Sequence, residues 1–194
     1  MKTFNNRWLA VATLFMTTSA VLGADEAGGW LTVFDGTNLE AWNQVGDANW
    51  RIADDTVSAD AGAGMLVSKR SFSDFELKLE FWADPDTNSG VFLRCADAQE
   101  INPANCYEVN IFDNRPDQSG RTGAIVDVAP PRAVINTEGR WNTYEILAEG
   151  THLVVKLNGT VTVDTHDEKL SAGPFTLQYA AGGVKFRNVR IRPF

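Results

Sequence analysis

Histidine and cysteine are nearly absent, with two of each in 194 residues. Two lone histidines, His152 and His166, fall short of the clusters that a zinc or di-metal hydrolase needs. No HExxH or GxSxG string offers a metalloprotease or serine-hydrolase centre. No glycine-rich loop follows a strand and opens a helix, so a nucleotide phosphate has no cradle. Positive charge is scarce too: 17 Lys and Arg stand against 25 Asp and Glu, a net charge of −8. That balance excludes a nucleic-acid partner, which requires a basic stripe, and works against adsorption to anionic membranes. Beyond the first two dozen residues no apolar run is long enough to span a bilayer. Sustained helical periodicity is missing as well, so α-helical and βαβ architectures lose their main signal.

The N-terminus has its own character. Lys2 and Arg7 precede a mostly apolar stretch, Trp8 to Leu22, and Gly23 and Ala24 supply small residues before Asp25. A basic start, a short apolar run and a small-residue exit describe a secretory signal peptide. Residues 1–24 are therefore expected to be removed on export, leaving residues 25–194 as one domain, secreted or periplasmic and free of the membrane. Such a compartment permits disulfides. Cys95 ends one expected strand and Cys106 begins the next, so a bond across the base of the intervening loop is expected.

The remaining chain alternates in the β manner. Phe75–Trp82 places Phe75, Leu77, Leu79 and Phe81 on one face and Glu76, Lys78, Glu80 and Trp82 on the other. Ser89–Cys95 turns Val91 and Leu93 inward, and Phe92 and Arg94 outward. Cys106–Asp113 turns Tyr107, Val109 and Ile111 inward, and Glu108 and Asn110 outward. Further strands are expected at 30–34, 49–52, 56–59, 65–69, 141–148, 153–157, 161–164, 175–180 and 184–193. A short extended piece is expected at 122–128. Asn158-Gly159 reads as a type I′ hairpin turn. Many short strands separated by turn residues predict an all-β sandwich in a single domain. Trp30, Trp42, Trp50 and Trp141 are expected in or at the edge of its core.

If the three central strands are neighbours, Glu76, Glu80, Trp82, Phe92, Arg94, Glu108 and Asn110 share one face. Carboxylates, a guanidinium, an amide and flat rings together suit a saccharide, whose hydroxyls need donors and acceptors and whose C–H faces need a platform. The plainer alternative is a solvated face laced with cross-strand ion pairs.

Several strings, in order, resemble one family. They are VFDGTNLEAW (33–42), KRSFSDFELKLEFW (69–82), NSGVFLR (88–94), YEVNIFD (107–113), TGAIVDVAPP (122–131), GRWNTYEI (139–146), LNG (157–159) and VKFRNVRIRPF (184–194). Together they resemble the 3-keto-disaccharide hydrolase domain family, also described as 3-keto-glucoside 1,2-lyase/3-keto-2-hydroxy-glucal hydratase. The resemblance covers about residues 30 to 194. It implies a concanavalin A-like β-sandwich jelly roll and cleavage of 3-keto-glycosides by elimination and hydration. A non-catalytic glycan-binding module of the same fold is the alternative. Family members often carry a histidine shortly after the Leu-Gln of the penultimate strand, and Leu177-Gln178-Tyr179-Ala180-Ala181-Gly182 has none.

The chemistry implied needs a base near C2, an electrophile at the C3 oxygen and an acid near the leaving oxygen. Glu108, set among apolar neighbours, is the expected base. Asp113 is a candidate acid or metal ligand, and Arg94 a candidate clamp for the enolate oxygen. Glu80 and Asn110 are expected to hold hydroxyls, and Trp82 or Phe92 to stack on the ring. Asp84, Asp86, Asn88, Asp113 and Asp117 crowd two loops and leave a divalent cation such as calcium open, without the EF-hand pattern.

Overall fold

The computed structural model describes residues 28–194. The expected signal segment, residues 1–24, lies outside the described residues. Thirteen strands follow one another: β1 (Leu31–Phe34), β2 (Trp42–Gly46), β3 (Arg51–Ala53), β4 (Thr56–Ala59), β5 (Gly64–Ser68), β6 (Phe75–Ala83), β7 (Ser89–Leu93), β8 (Tyr107–Ile111), β9 (Trp141–Glu149), β10 (His152–Leu157), β11 (Thr160–His166), β12 (Thr176–Tyr179) and β13 (Val184–Pro193). A single 3₁₀ turn, Gln118–Gly120, lies between β8 and β9.

The strands form two antiparallel sheets. The larger runs β11-β10-β9-β6-β13-β4-β3, with β1 also on β13, and the smaller runs β2-β5-β12-β7-β8. One apolar layer joins them. Leu77, Leu79, Phe81, Tyr144 and Phe186 come from the larger sheet, and Leu66, Val91, Tyr107, Val109 and Leu177 from the smaller. Period-2 alternation on strands such as β6, β8 and β9 puts every second residue into that layer, and burial of those side chains drives the association. Trp50 bridges the sheets, with its ring 6.5 Å from both Tyr179 and Phe186. This is the all-β sandwich expected from the strand spacing.

Local punctuation follows the sequence closely. Asn158 and Gly159 both take positive φ, 51° and 79°, as a type I′ turn requires. Cys95 and Cys106 are joined, with Cα atoms 4.3 Å apart.

Three expectations change. Trp42–Gly46 is a strand, not only a core-edge cap; it pairs with β5 from Trp42↔Ser68 to Gly46↔Gly64. The piece at 122–128 is not a strand. It lies alongside β8 through Asn110 N–H to Ala124 O and Val126 N–H to Glu108 O. A tight turn at Asp127, φ 60°, cuts it short. Most consequential, β6 belongs to the larger sheet, whereas β7 and β8 belong to the smaller. The outer side chains of β6 and those of β7–β8 therefore point away from opposite faces of the sandwich.

Candidate functional site

On β8 the odd-numbered side chains Tyr107, Val109 and Ile111 enter the core. Alternation then turns Glu108 and Asn110 to the outer face of the smaller sheet. Glu108 is nonetheless only 6% exposed. Its register partner is Phe92 on β7. Phe92 packs with Met65, Ile101 and the Cys95–Cys106 bond in a small apolar cluster that closes one end of this face. The Glu108 carboxylate makes no hydrogen bond or ion pair among the described residues. Burial pushes its pKa up to about 7, Arg115 pulls it back, and the nearby Asp127 carboxylate adds to the rise.

The floor beside Glu108 is Gly90, whose register partner is Asn110. A Cβ at position 90 would stand 3.5 Å from Glu108 Cγ, 3.4 Å from Gln178 Oε1 and 3.3 Å from Val109 O. The Gln178 amide lies on the other side of this floor. Its Oε1 is buried and has no hydrogen-bond partner. Arg115 sits over Gly120, where a Cβ would meet its Nε at 2.7 Å. Its guanidinium makes no hydrogen bond or ion pair among the described residues. A carboxyl group, an amide and a guanidinium are thus gathered without satisfying one another.

The other expected site residues are placed elsewhere or already bound. Arg94 is fully buried. Its φ of 50° breaks the strand alternation and turns the side chain away from the outer face. The guanidinium donates to Ser73 O at 2.7 Å, Gly150 O at 2.7 Å, Leu170 O at 3.2 Å and Asp74 Oδ1 at 3.0 Å. It ties three loops together and does not face Glu108. Asn110 is also fully buried; its Nδ2 donates to Gly120 O and its Oδ1 accepts from Ile111 N–H. Asp113 spends both oxygens on Thr137, one on the backbone N–H and one on the hydroxyl, with Arg121 3.8 Å away. Phe92 is 1% exposed and offers no open ring face.

Glu80 and Trp82 lie on the outer face of the larger sheet. Glu80 Oε2 accepts from Arg187 Nε and Nη2 at 2.9 and 2.6 Å, and Oε1 accepts from Asn188 at 2.7 Å. Burial would raise the Glu80 pKa, but the bonds from Asn188 and Arg187 outweigh it and hold it below its ordinary value. Trp82 faces Trp141 across the β6–β9 pair, with Lys185 5.2 Å from its ring centre. Arg187 stands 4.0 Å over Trp141, and Trp30 carries Lys78 and Arg192 at 5.3 Å each. Trp30 and Trp141 are therefore surface residues under cations, unlike the core residue Trp42. The ion-paired ladder given as the plainer alternative describes this face well, with Glu76–Arg192 and Lys78–Glu145 completing it.

The profile of the 3-keto-alpha-glucoside-1,2-lyase-like domain matches residues 29–192. The chain belongs to this family. A curated 3-keto-disaccharide hydrolase of Bacteroides thetaiotaomicron is 25% identical over 182 residues, covering 75% of this chain and 58% of that protein. The chain thus spans little more than half the length of that relative. A Parabacteroides distasonis structure provisionally assigned as a glycosyl hydrolase is 26% identical, with a TM-score of 0.73 over 85% of this chain and 99% of the other. The carbohydrate-binding module CBM66 of Bacillus subtilis shares the fold at 19% identity, with a TM-score of 0.62 over 77% and 94% of the two chains.

In this lyase-like domain no group of three or more His, Cys, Asp or Glu side chains is arranged to hold a metal among the described residues. Of the residues considered for calcium, Asp84 Oδ1 accepts from Asp86 N–H and the Thr87 hydroxyl, and Asp117 Oδ1 from the Ser119 N–H and hydroxyl. The two histidines stack 4.7 Å apart across β10 and β11, where His152 bonds Asp164. His166 is the last residue of β11. Sequence reading missed Gln178, Arg115 and Gly90. Arg115 lay in the polar loop after β8, and Gly90 was a glycine inside a strand, a mark of close approach by another group. Gln178 carried no signal of its own, because only the β7–β12 pairing brings it beside Gly90, one strand away from Glu108.

Proposed function

We propose that this domain cleaves 3-keto-glucosides by elimination and hydration, with Glu108 as the base. One observation carries the reading: a nearly buried carboxyl group that the fold leaves without a partner, its pKa lifted to about 7. A buried carboxylate that only stabilised the fold would be paired, because an unpaired one is costly. A base works best when its pKa lies close to the working pH.

A ketone at C3 acidifies the hydrogen at C2. Glu108 takes that proton, and the electron pair of the broken C–H bond forms an enolate whose charge rests on the C3 oxygen. Arg115, the uncommitted cation nearby, takes the electrostatic role first given to Arg94. The enolate then re-forms the ketone and expels the C1 oxygen, leaving a C1=C2 double bond. The departing oxygen receives a proton from the carboxyl group that has just gained one. Water adds across the double bond, OH to C1 and H to C2, and the net result is hydrolysis. The activity named for the Bacteroides relative supports this substrate class. The Cys95–Cys106 bond supports an oxidising compartment, and with it export directed by residues 1–24.

A binding-only reading draws on the fold shared with CBM66. The unpaired Glu108 favours the enzyme. Incubation with 3-keto-sucrose and with sucrose separates the two. Release of reducing sugar from the ketone alone, lowered at least about 100-fold in Glu108→Gln, is the expected result. Binding of unoxidised sugar without turnover of the ketone would overturn it.

A further inference from the structure

We propose that Gly90 and Gln178 form the saccharide-orienting subsite of this domain, a notch that receives adjacent ring oxygens and sets C2 against Glu108. The inference rests on the proposed function. Three features of the notch carry it.

The first is the missing side chain. Gly90 sits within β7 without the positive φ that would explain a glycine, since it is absent from the positive-φ glycines. Strand propensity disfavours glycine there. What the absence provides is space: a Cβ would project to 3.5 Å from Glu108 Cγ and 3.4 Å from Gln178 Oε1, between the two functional groups.

The second is the state of Gln178. The residue begins opposite Met65 on β5 and lies along the same strand as the core residues Leu177 and Tyr179, so its side chain takes the outer face. Its carbonyl oxygen is buried and unbonded, and its NH₂ group makes no hydrogen bond among the described residues. A buried amide oxygen left unsatisfied costs free energy that a ligand can recover. An amide can donate through Nε2 and accept through Oε1 at once, which matches two neighbouring sugar oxygens.

The third is contrast. Asn110, the amide first expected to hold hydroxyls, is consumed by Gly120 O and Ile111 N–H. Gln178 is a free amide on the same face, next to Gly90, and it replaces Asn110 in that role.

The test combines two backgrounds and two variants. Gly90→Ala fills the notch with one methyl group, whose tightest contact would be the Val109 carbonyl oxygen at 3.3 Å. Gln178→Ala removes the amide without touching the floor. Binding of 3-keto-sucrose is read by calorimetry in the Glu108→Gln protein, where the sugar stays intact, and turnover is read with Glu108 present. Each variant should weaken the dissociation constant and raise KM by about tenfold, with kcat changed less and melting temperature close to the parent's. Affinity unchanged within about twofold in Gln178→Ala overturns the subsite, and Gly90→Ala must agree wherever its melting curve matches the parent's. Turnover that survives Glu108→Gln instead sinks the proposed base, and the subsite is still judged by its own binding constants.

Discussion

Glu108 and Arg94 show how differently two buried ionisable residues can be used. Arg94 is bonded at every nitrogen and closes loops at 73–74, 150 and 170. Its replacement by methionine should destabilise the protein by about 3 kcal/mol, because four acceptors lose their donor inside the fold. The fraction that remains folded should keep its kcat, and urea denaturation alongside steady-state rates checks both. Glu108 should behave in the opposite way. Its folded pKa of about 7 lies above the ordinary 4.5. Between those values the folded state holds a proton that the unfolded chain releases, so stability falls as pH rises through that window. Above pH 7 the penalty is complete, on the order of 3 kcal/mol. Glu108→Gln should therefore stabilise the protein at pH 8 and do little at pH 4, while turnover of the parent rises with pH through about 7. Denaturation at the two pH values, and a pH–rate profile, measure these effects.

At the scale of elements, the two outer faces divide the labour. On β6, β9 and β13 most outward charges are paired: Glu80 with Arg187 and Asn188, Glu76 with Arg192, Lys78 with Glu145. Such pairs are half-exposed and contribute little each. Glu80→Gln should cost no more than about 1 kcal/mol and leave turnover within about twofold, readable from a thermal melt and an initial-rate assay. On β7, β8 and β12 the outward polar groups are fewer; Asn110 is bonded, whereas Glu108 and the Gln178 oxygen beside Gly90 are unpartnered. An element whose polar groups satisfy one another holds the fold. One whose groups are left unsatisfied is prepared to bind. The strand pattern of β6 and that of β8 look alike when read along the chain, and pairing is what separates them.

For the whole molecule, the disulfide and the loop it closes matter most. Cys95 and Cys106 are 11 residues apart and lie against Phe92 and Ile101, at the sealed end of the face that carries Glu108. Replacing both with serine should lower stability by about 2–3 kcal/mol through the freed loop, and limited proteolysis should then cut first between residues 96 and 105. Much of the molecule was legible before any coordinates. Alternation in FELKLEFW and YEVNI gave strands, core residues and the outward turn of Glu108, because a period of two is a property of the extended chain itself. The Asn-Gly turn and the cysteine pair were likewise local facts. What the chain could not state was which strands are neighbours. Glu80 and Trp82 were grouped with Glu108 on the assumption that β6 lies beside β7, but the connection crosses between sheets. Arg94 was turned outward by a rule of alternation that a single positive φ cancels. Gln178 lies seventy residues from Glu108 and comes to the other side of Gly90 only through the β12–β7 pairing. Periodicity along one strand is decided by covalent geometry and is written in the sequence. The company a side chain keeps depends on long-range hydrogen-bonded pairing and on which loops fold over it, and only the tertiary structure decides that.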